Sequence, residues 1–157
     1  MKARFIAVLA TVGICSGLSV MPLPAAAQKS GAAPLAMRES DPKLNWGPCP
    51  PIYKGKCQIA VLHGDPAQPN ADVFLRVTGG TELTPHLHTS AERMVLVSGS
   101  LRVEYQGAKP TTLAVGDYAF GPARLPHRAT CLGQKSCTLF IAFEGPVDAE
   151  PVPGKLQ

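Results

Sequence analysis

From residue 57 onward the chain is a series of short apolar runs, mostly four to seven residues long, each cut off by glycine or proline. No stretch beyond residue 27 sustains an apolar period of 3.6, which excludes long amphipathic helices. The runs instead alternate in steps of two. Val73, Leu75 and Val77 fall on one face, with Asp72, Phe74 and Arg76 on the other. Leu101, Val103 and Tyr105 alternate in the same way with Arg102 and Glu104. The 15 glycines and 16 prolines supply the breaks. Short alternating strands at close spacing predict an all-β domain, a small antiparallel barrel or sandwich. Strands are expected over 58–62, 72–78, 94–97, 101–105, 111–115 and 118–120, and 127–131 with 137–143 form the expected last hairpin. No internal repeat and no second domain are visible.

The first 27 residues read differently. Lys2 and Arg4 precede an apolar run over 5–20, and Ala25-Ala26-Ala27 fits a small-residue cleavage site. This is the pattern of a secretory signal peptide, so the expected location is periplasmic or extracellular. Ser16, Gly17 and Ser19 interrupt the run, and Pro22 and Pro24 close it, which makes a poor membrane span. Removing Lys2 and Arg4 leaves 13 basic residues against 11 acidic ones, a net charge of +2. Neither nucleic acid nor, after cleavage, a membrane is an expected partner. Residues 28–47, rich in Ala, Pro, Ser, Lys and Gly, are expected as a flexible arm that Trp46 pins to a domain over 48–146. Residues 147–157 are expected as a loose tail.

Cys15 leaves with the leader, and Cys49, Cys57, Cys131 and Cys137 remain. An even count in an exported domain points to disulfides. Three pairings are open. Two local pairs are expected, because each flanks a short turn-like segment.

The chemistry concentrates in 80–99. His86 and His88 are two apart, so in an extended strand both imidazoles leave one face. Thr89, Ser90 and Ala91 can turn the chain, and Glu92 opens the next apolar run. Two imidazoles and a carboxylate suit a divalent transition metal. His127 begins a later strand that can lie opposite and complete the set. His63 falls in a turn outside both stretches and is read as a surface residue or one behind the ligands, not as a ligand. Met94 and Leu96, on the face of Glu92, are candidate pocket walls. Tyr105, Tyr118 and Arg76 are candidate substrate or acid–base groups.

These residues resemble the cupin superfamily. Its first motif, G-x5-H-x-H-x3,4-E-x6-G, is matched by Gly80, His86, His88, Glu92 and Gly99. Its second, G-x5-P-x-G-x2-H-x3-N, is matched by Gly116, Pro122 and His127. Arg124 stands where the second glycine is expected, and Cys131 replaces the asparagine. The resemblance spans about 58–143. It implies a cupin-type β-barrel, a jelly-roll sandwich, with His86, His88, Glu92 and His127 as ligands of one divalent metal (Mn, Fe, Ni, Cu or Zn). Four protein ligands leave one or two positions open for O2, water or a substrate oxygen. The resulting expectation is a metal-dependent small-molecule enzyme of O2-using, dioxygenase-like type, with Glu92 able to accept a proton. The alternatives are a non-catalytic binding module and a metal-dependent isomerase or lyase. Paired sheet edges, and so a homodimer, are a further implication of the resemblance alone.

Overall fold

The computed structural model describes residues 33–156. The expected leader, Cys15 and the start of the arm lie outside the described residues. Eleven strands follow in order: β1 (Gly47–Pro48), β2 (Cys57–His63), β3 (Asp72–Val77), β4 (Glu82–Leu87), β5 (Glu92–Ser98) and β6 (Leu101–Tyr105). They continue with β7 (Thr111–Leu113), β8 (Tyr118–Gly121), β9 (His127–Cys131), β10 (Cys137–Phe143) and β11 (Glu150–Pro151). One 3-10 turn, Pro51–Tyr53, sits between β1 and β2. Among the described residues no helix is long and apolar enough to cross a membrane.

The strands form two antiparallel sheets, ordered β1-β2-β3-β10-β5-β8 and β11-β4-β9-β6-β7. This is the all-β sandwich that the alternation predicts. The inward face of each strand supplies the core: Val73 and Val77 from β3, Met94 and Leu96 from β5, Leu101 and Val103 from β6, and Leu139, Ile141 and Phe143 from β10. Burying each such side chain contributes roughly 1.5–3 kcal/mol, and this term opposes the chain entropy. A smaller cluster lies on the outside of the first sheet. There Leu44 and Trp46 of the arm cover Ala60, Phe74 and Phe140. Arg76 stacks on Trp46, its Cζ 3.8 Å from the ring centroid, and donates to the Glu39 carbonyl at 2.9 Å. Trp46 thus fastens the end of the arm, as expected.

Three expectations need correction. β9 and β10 are not a hairpin. β9 pairs with β4 and β6 in one sheet, and β10 pairs with β3 and β5 in the other. The short 132–136 connection crosses between the sheets because both flanking strands bury a face, and the shared core lies between them. Nor is the segment after residue 146 loose. Val147 and Ala149 pack on the core, and β11 pairs with β4 through Glu150↔Leu87 and Pro151↔His86. Arg76 lies on the outer face with Trp46, away from the pocket, because its parity in β3 is opposite to that of Val73 and Leu75.

The cysteines form the two local pairs, Cys49–Cys57 and Cys131–Cys137. The second pair clamps the crossing from β9 to β10. The first closes the loop that carries the 3-10 turn.

Candidate metal centre

His86, His88 and His127 meet inside the barrel. One ring nitrogen of each lies within 4.8 Å of the others, a grouping that could hold a metal ion. Two features of the second sheet make this possible. First, β4 and β9 are neighbours, and His86 is the register partner of His127. Second, the ladder contains a bulge. Leu83 pairs with Ala129 and His86 with His127, so three steps on β4 match two on β9. Strict alternation would turn His86 to the outside if Leu83 faced in. The extra residue at Thr84-Pro85 resets the parity, and Leu83, His86 and His88 are all buried. Proline is tolerated there because a bulge needs no ladder donor.

Each imidazole is oriented by a backbone carbonyl. Nδ1 of His86 meets the Thr84 carbonyl at 2.7 Å, and Nδ1 of His127 meets that of Leu125 at 3.1 Å. Nδ1 of His88 meets the carbonyl of Asp148. A carbonyl only accepts, so each Nδ1 carries the proton and each Nε2 keeps its lone pair for the centre. Burial pushes His86 down to about 3, helped by His127 and opposed by its bond to Thr84. Burial also lowers His127, against the pull of Glu92. Both are therefore neutral at pH 7, the form that ligates a metal.

Glu92 reaches the same point from β5 in the opposite sheet. Its Oε2 is 3.4 Å from Nε2 of His88, and its Oε1 is 3.4 Å from Nε2 of His127. Oε1 is buried without a hydrogen-bond partner. A buried carboxylate with an unpaired oxygen, beside the uncommitted nitrogens of His88 and His127, leaves a place that a cation would satisfy. Gly121 makes room for the carboxylate. A Cβ there would lie 2.7 Å from both Cγ and Oε1 of Glu92. These donors fit a divalent transition metal of the nitrogen- and oxygen-binding kind.

The second motif's departures now have a physical reading. Arg124 adopts φ 60, the left-handed turn that the motif's glycine would supply, and its N–H donates to the His88 carbonyl at 2.8 Å. Cys131, in the asparagine's place, is fully buried and bridged to Cys137.

A cavity of about 50 Å³ adjoins the three histidines and Glu92. Met94 lines it, whereas Leu96 belongs to the core and not to the lining. Tyr105 sits against His127, ring centroids 5.2 Å apart, with its hydroxyl buried and unpaired. Tyr118 is exposed on β8, and His63 is exposed at the end of β2. Tyr53 and Asp148 were not singled out from sequence, yet both line the cavity. Tyr53 packs edge-on against His86 at 5.0 Å. Burial, then the nearby Glu92, raises both phenols far above the ordinary tyrosine value, and Asp148 adds to this at Tyr53. They stay protonated at neutral pH. No local period marks Tyr53 or Asp148 in the sequence; the one available signal was the disulfide-flanked loop around Tyr53.

Residues 73–143 match the family model described as a cupin domain. This match and the two-sheet barrel together support the cupin resemblance. Among solved structures it is similar to KdgF from a Halomonas species, at 23% identity and TM-score 0.51, over 64% of this chain and 86% of that one. It is also similar to an RmlC-like cupin from Shewanella frigidimarina, at 21% identity and TM-score 0.55, over 67% and 86%. The DMSP lyase DddQ from Ruegeria pomeroyi aligns at 16% identity and TM-score 0.61, over 71% of this chain and 64% of that one. The chain thus spans less than two thirds of that lyase. At such identities the likeness concerns the fold. No curated protein matches the chain.

Proposed function

We propose that this cupin is an exported, metal-dependent enzyme acting on a compact, uncharged organic molecule. His86, His88, Glu92 and His127 hold the ion in this reading. The observation that carries it is the buried cluster of three histidine ring nitrogens, with Glu92 oxygens 3.4 Å from two of them and its Oε1 buried and unpaired. When bound, the metal would supply a Lewis-acid position for a substrate oxygen and a place to engage O2. The cavity supports the substrate class. At about 50 Å³ it holds a few waters, and away from the proposed ion its described lining is largely apolar, with no lysine or arginine to bind a second charged group. The apolar walls exclude bulk water and admit O2. The finer reading is therefore an O2-using oxidoreductase, with Glu92 as proton acceptor.

A second reading, a metal-dependent lyase or isomerase, is favoured by one observation. Tyr53, held protonated, lines the cavity against His86, where its hydroxyl could give a hydrogen bond to a departing oxygen. The lyase name of one structural neighbour agrees with it. The expected leader and the two disulfide pairs support export.

Metal content by mass spectrometry tests the core of the proposal, using untagged protein beside a His86→Ala/His88→Ala double variant. About one ion per chain, lost in the variant, is expected. No ion after incubation with Mn, Fe, Ni, Cu and Zn would overturn it. The loaded protein is then offered small phenols and short diketones. Oxygen consumption supports the first reading, and product formation under nitrogen supports the second. Tight binding with no product would leave a binding module.

A further inference from the structure

The three histidines are not held equally. His86 and His127 lie within paired strands and take their Nδ1 acceptor from the residue two places earlier. His88 lies one residue past the end of β4, and its acceptor comes from 60 residues away, the carbonyl of Asp148. Asp148 is itself fastened by its side chain. Its Oδ1 accepts from the Thr89 N–H at 3.0 Å, and its other carboxylate oxygen accepts from the Thr89 hydroxyl. On either side the strap is anchored by backbone: Val147 N–H to the Pro66 carbonyl at 2.8 Å, and Val152 N–H to the Pro85 carbonyl at 3.0 Å.

We propose that the C-terminal strap, residues 147–152, is a working part of the metal centre, and that Asp148 is the residue that positions His88. The proposal rests on the metal-centre reading above and extends it to a segment outside both cupin motifs. The carboxylate grips Thr89, next in sequence to His88, and so brings its own carbonyl to the His88 ring. That carbonyl fixes the Nδ1–H tautomer and aims Nε2 inward. Releasing the grip frees the ring to rotate and to change tautomer, while His86 and His127 keep their acceptors. A metal held by this set then loses one well-oriented donor. Loss of an orienting partner of this kind weakens metal affinity by about 10- to 100-fold.

The test compares wild type with Asp148→Ala, Asp148→Asn and Thr89→Val, using Co(II) as probe. In the metal-free proteins, 15N spectra of the imidazoles report each tautomer. Wild-type His88 is expected as the Nδ1–H form. Asp148→Ala, which loses both bonds to Thr89, is expected to give mixed tautomers at His88 alone and Co(II) binding about 10- to 100-fold weaker by chelator competition. Thr89→Val, which loses the hydroxyl bond and keeps the N–H bond, is expected to move both readouts the same way by less. Asp148→Asn, which can still accept from the Thr89 N–H, recovers most of the affinity. Thr89→Val keeps the side-chain shape and carries the test if Asp148→Ala does not fold. An unchanged His88 tautomer with unchanged Co(II) affinity in both variants would overturn the strap's role and leave the metal centre standing. Wild type that takes up no Co(II) would remove both.

Discussion

Gly121 offers a measurement of how tightly the carboxylate of the centre is held. Gly121 on β8 is the register partner of Glu92 on β5. A Cβ added there lies 2.7 Å from Cγ and Oε1 of Glu92 and 3.2 Å from its Cδ. Ordinary contact begins at 3.4 Å, so Gly121→Ala demands a shift of about 0.7 Å. Glu92 cannot retreat, because His88 and His127 stand 3.4 Å behind its oxygens. β5 cannot move, because β10 flanks it on its other side. β8 is an edge strand, so it takes most of the displacement. Overpacking of this kind costs about 1–3 kcal/mol. The loss of unfolded-state freedom on replacing glycine returns about 0.4–1 kcal/mol. The net expectation is about 1–2 kcal/mol in the metal-free protein, read by urea unfolding, or a fall in Tm of about 4–8 °C. The decisive version is a double-mutant cycle with Glu92→Ala, which deletes the three atoms nearest the new methyl. In that background Gly121→Ala is expected to cost nothing, a coupling of about 1–2 kcal/mol. Equal costs in both backgrounds would show that the glycine serves the backbone of β8 and not the carboxylate.

Other outcomes follow from the same geometry. His86 titrates near 6.5 when unfolded but at about 3 when folded, so between these values the unfolded chain binds a proton that the native state refuses. Its contribution to stability is complete above pH 6.5 and is lost as pH falls toward 3. From pH 7 to 5, chelator-treated protein is expected to lose about 2 kcal/mol through His86, with His127 acting in the same direction. A flat urea midpoint over that range would refute this. Tyr105→Phe removes a buried, unpaired hydroxyl and is expected to stabilise the metal-free protein by about 1–3 kcal/mol. A fall in thermal midpoint would show that the hydroxyl has a partner. Arg124→Gly relieves a left-handed side-chain residue at φ 60 and is expected to gain about 0.5–1 kcal/mol in denaturant. A loss would mean that the arginine side chain holds the turn.

The sequence carried the centre better than its surroundings. His86, His88, Glu92 and His127 were legible because two spacings and one strand periodicity bring them together. What hid was set by events distant in the chain. Asp148 meets His88 only once the C-terminal segment lies along β4, and nothing in 147–152 looks like a strand. The bulge at Thr84-Pro85 that turns His86 inward shows up only in the register against β9. The reading of 127–143 as a hairpin failed because two strands with a short link need not share a sheet when each has a face to bury. Arg76 is a different case. Its parity in β3 already set it opposite Val73 and Leu75, so alternation alone excluded it from the pocket.

The pairing of His86 with His127 also bears on the order of assembly. The two partners are 41 positions apart, and they become neighbours only once β4 and β9 have found each other across everything between. Closing a loop of that length comes late and slowly in folding. In the early chain an ion would meet only the local donors His86, His88 and Glu92, without His127 opposite them. Metal present during refolding should leave the folding rate unchanged and slow only unfolding, since its full set of bonds is absent from the transition state. Which ion such a centre would carry is then decided after the barrel closes, by what the finished protein meets.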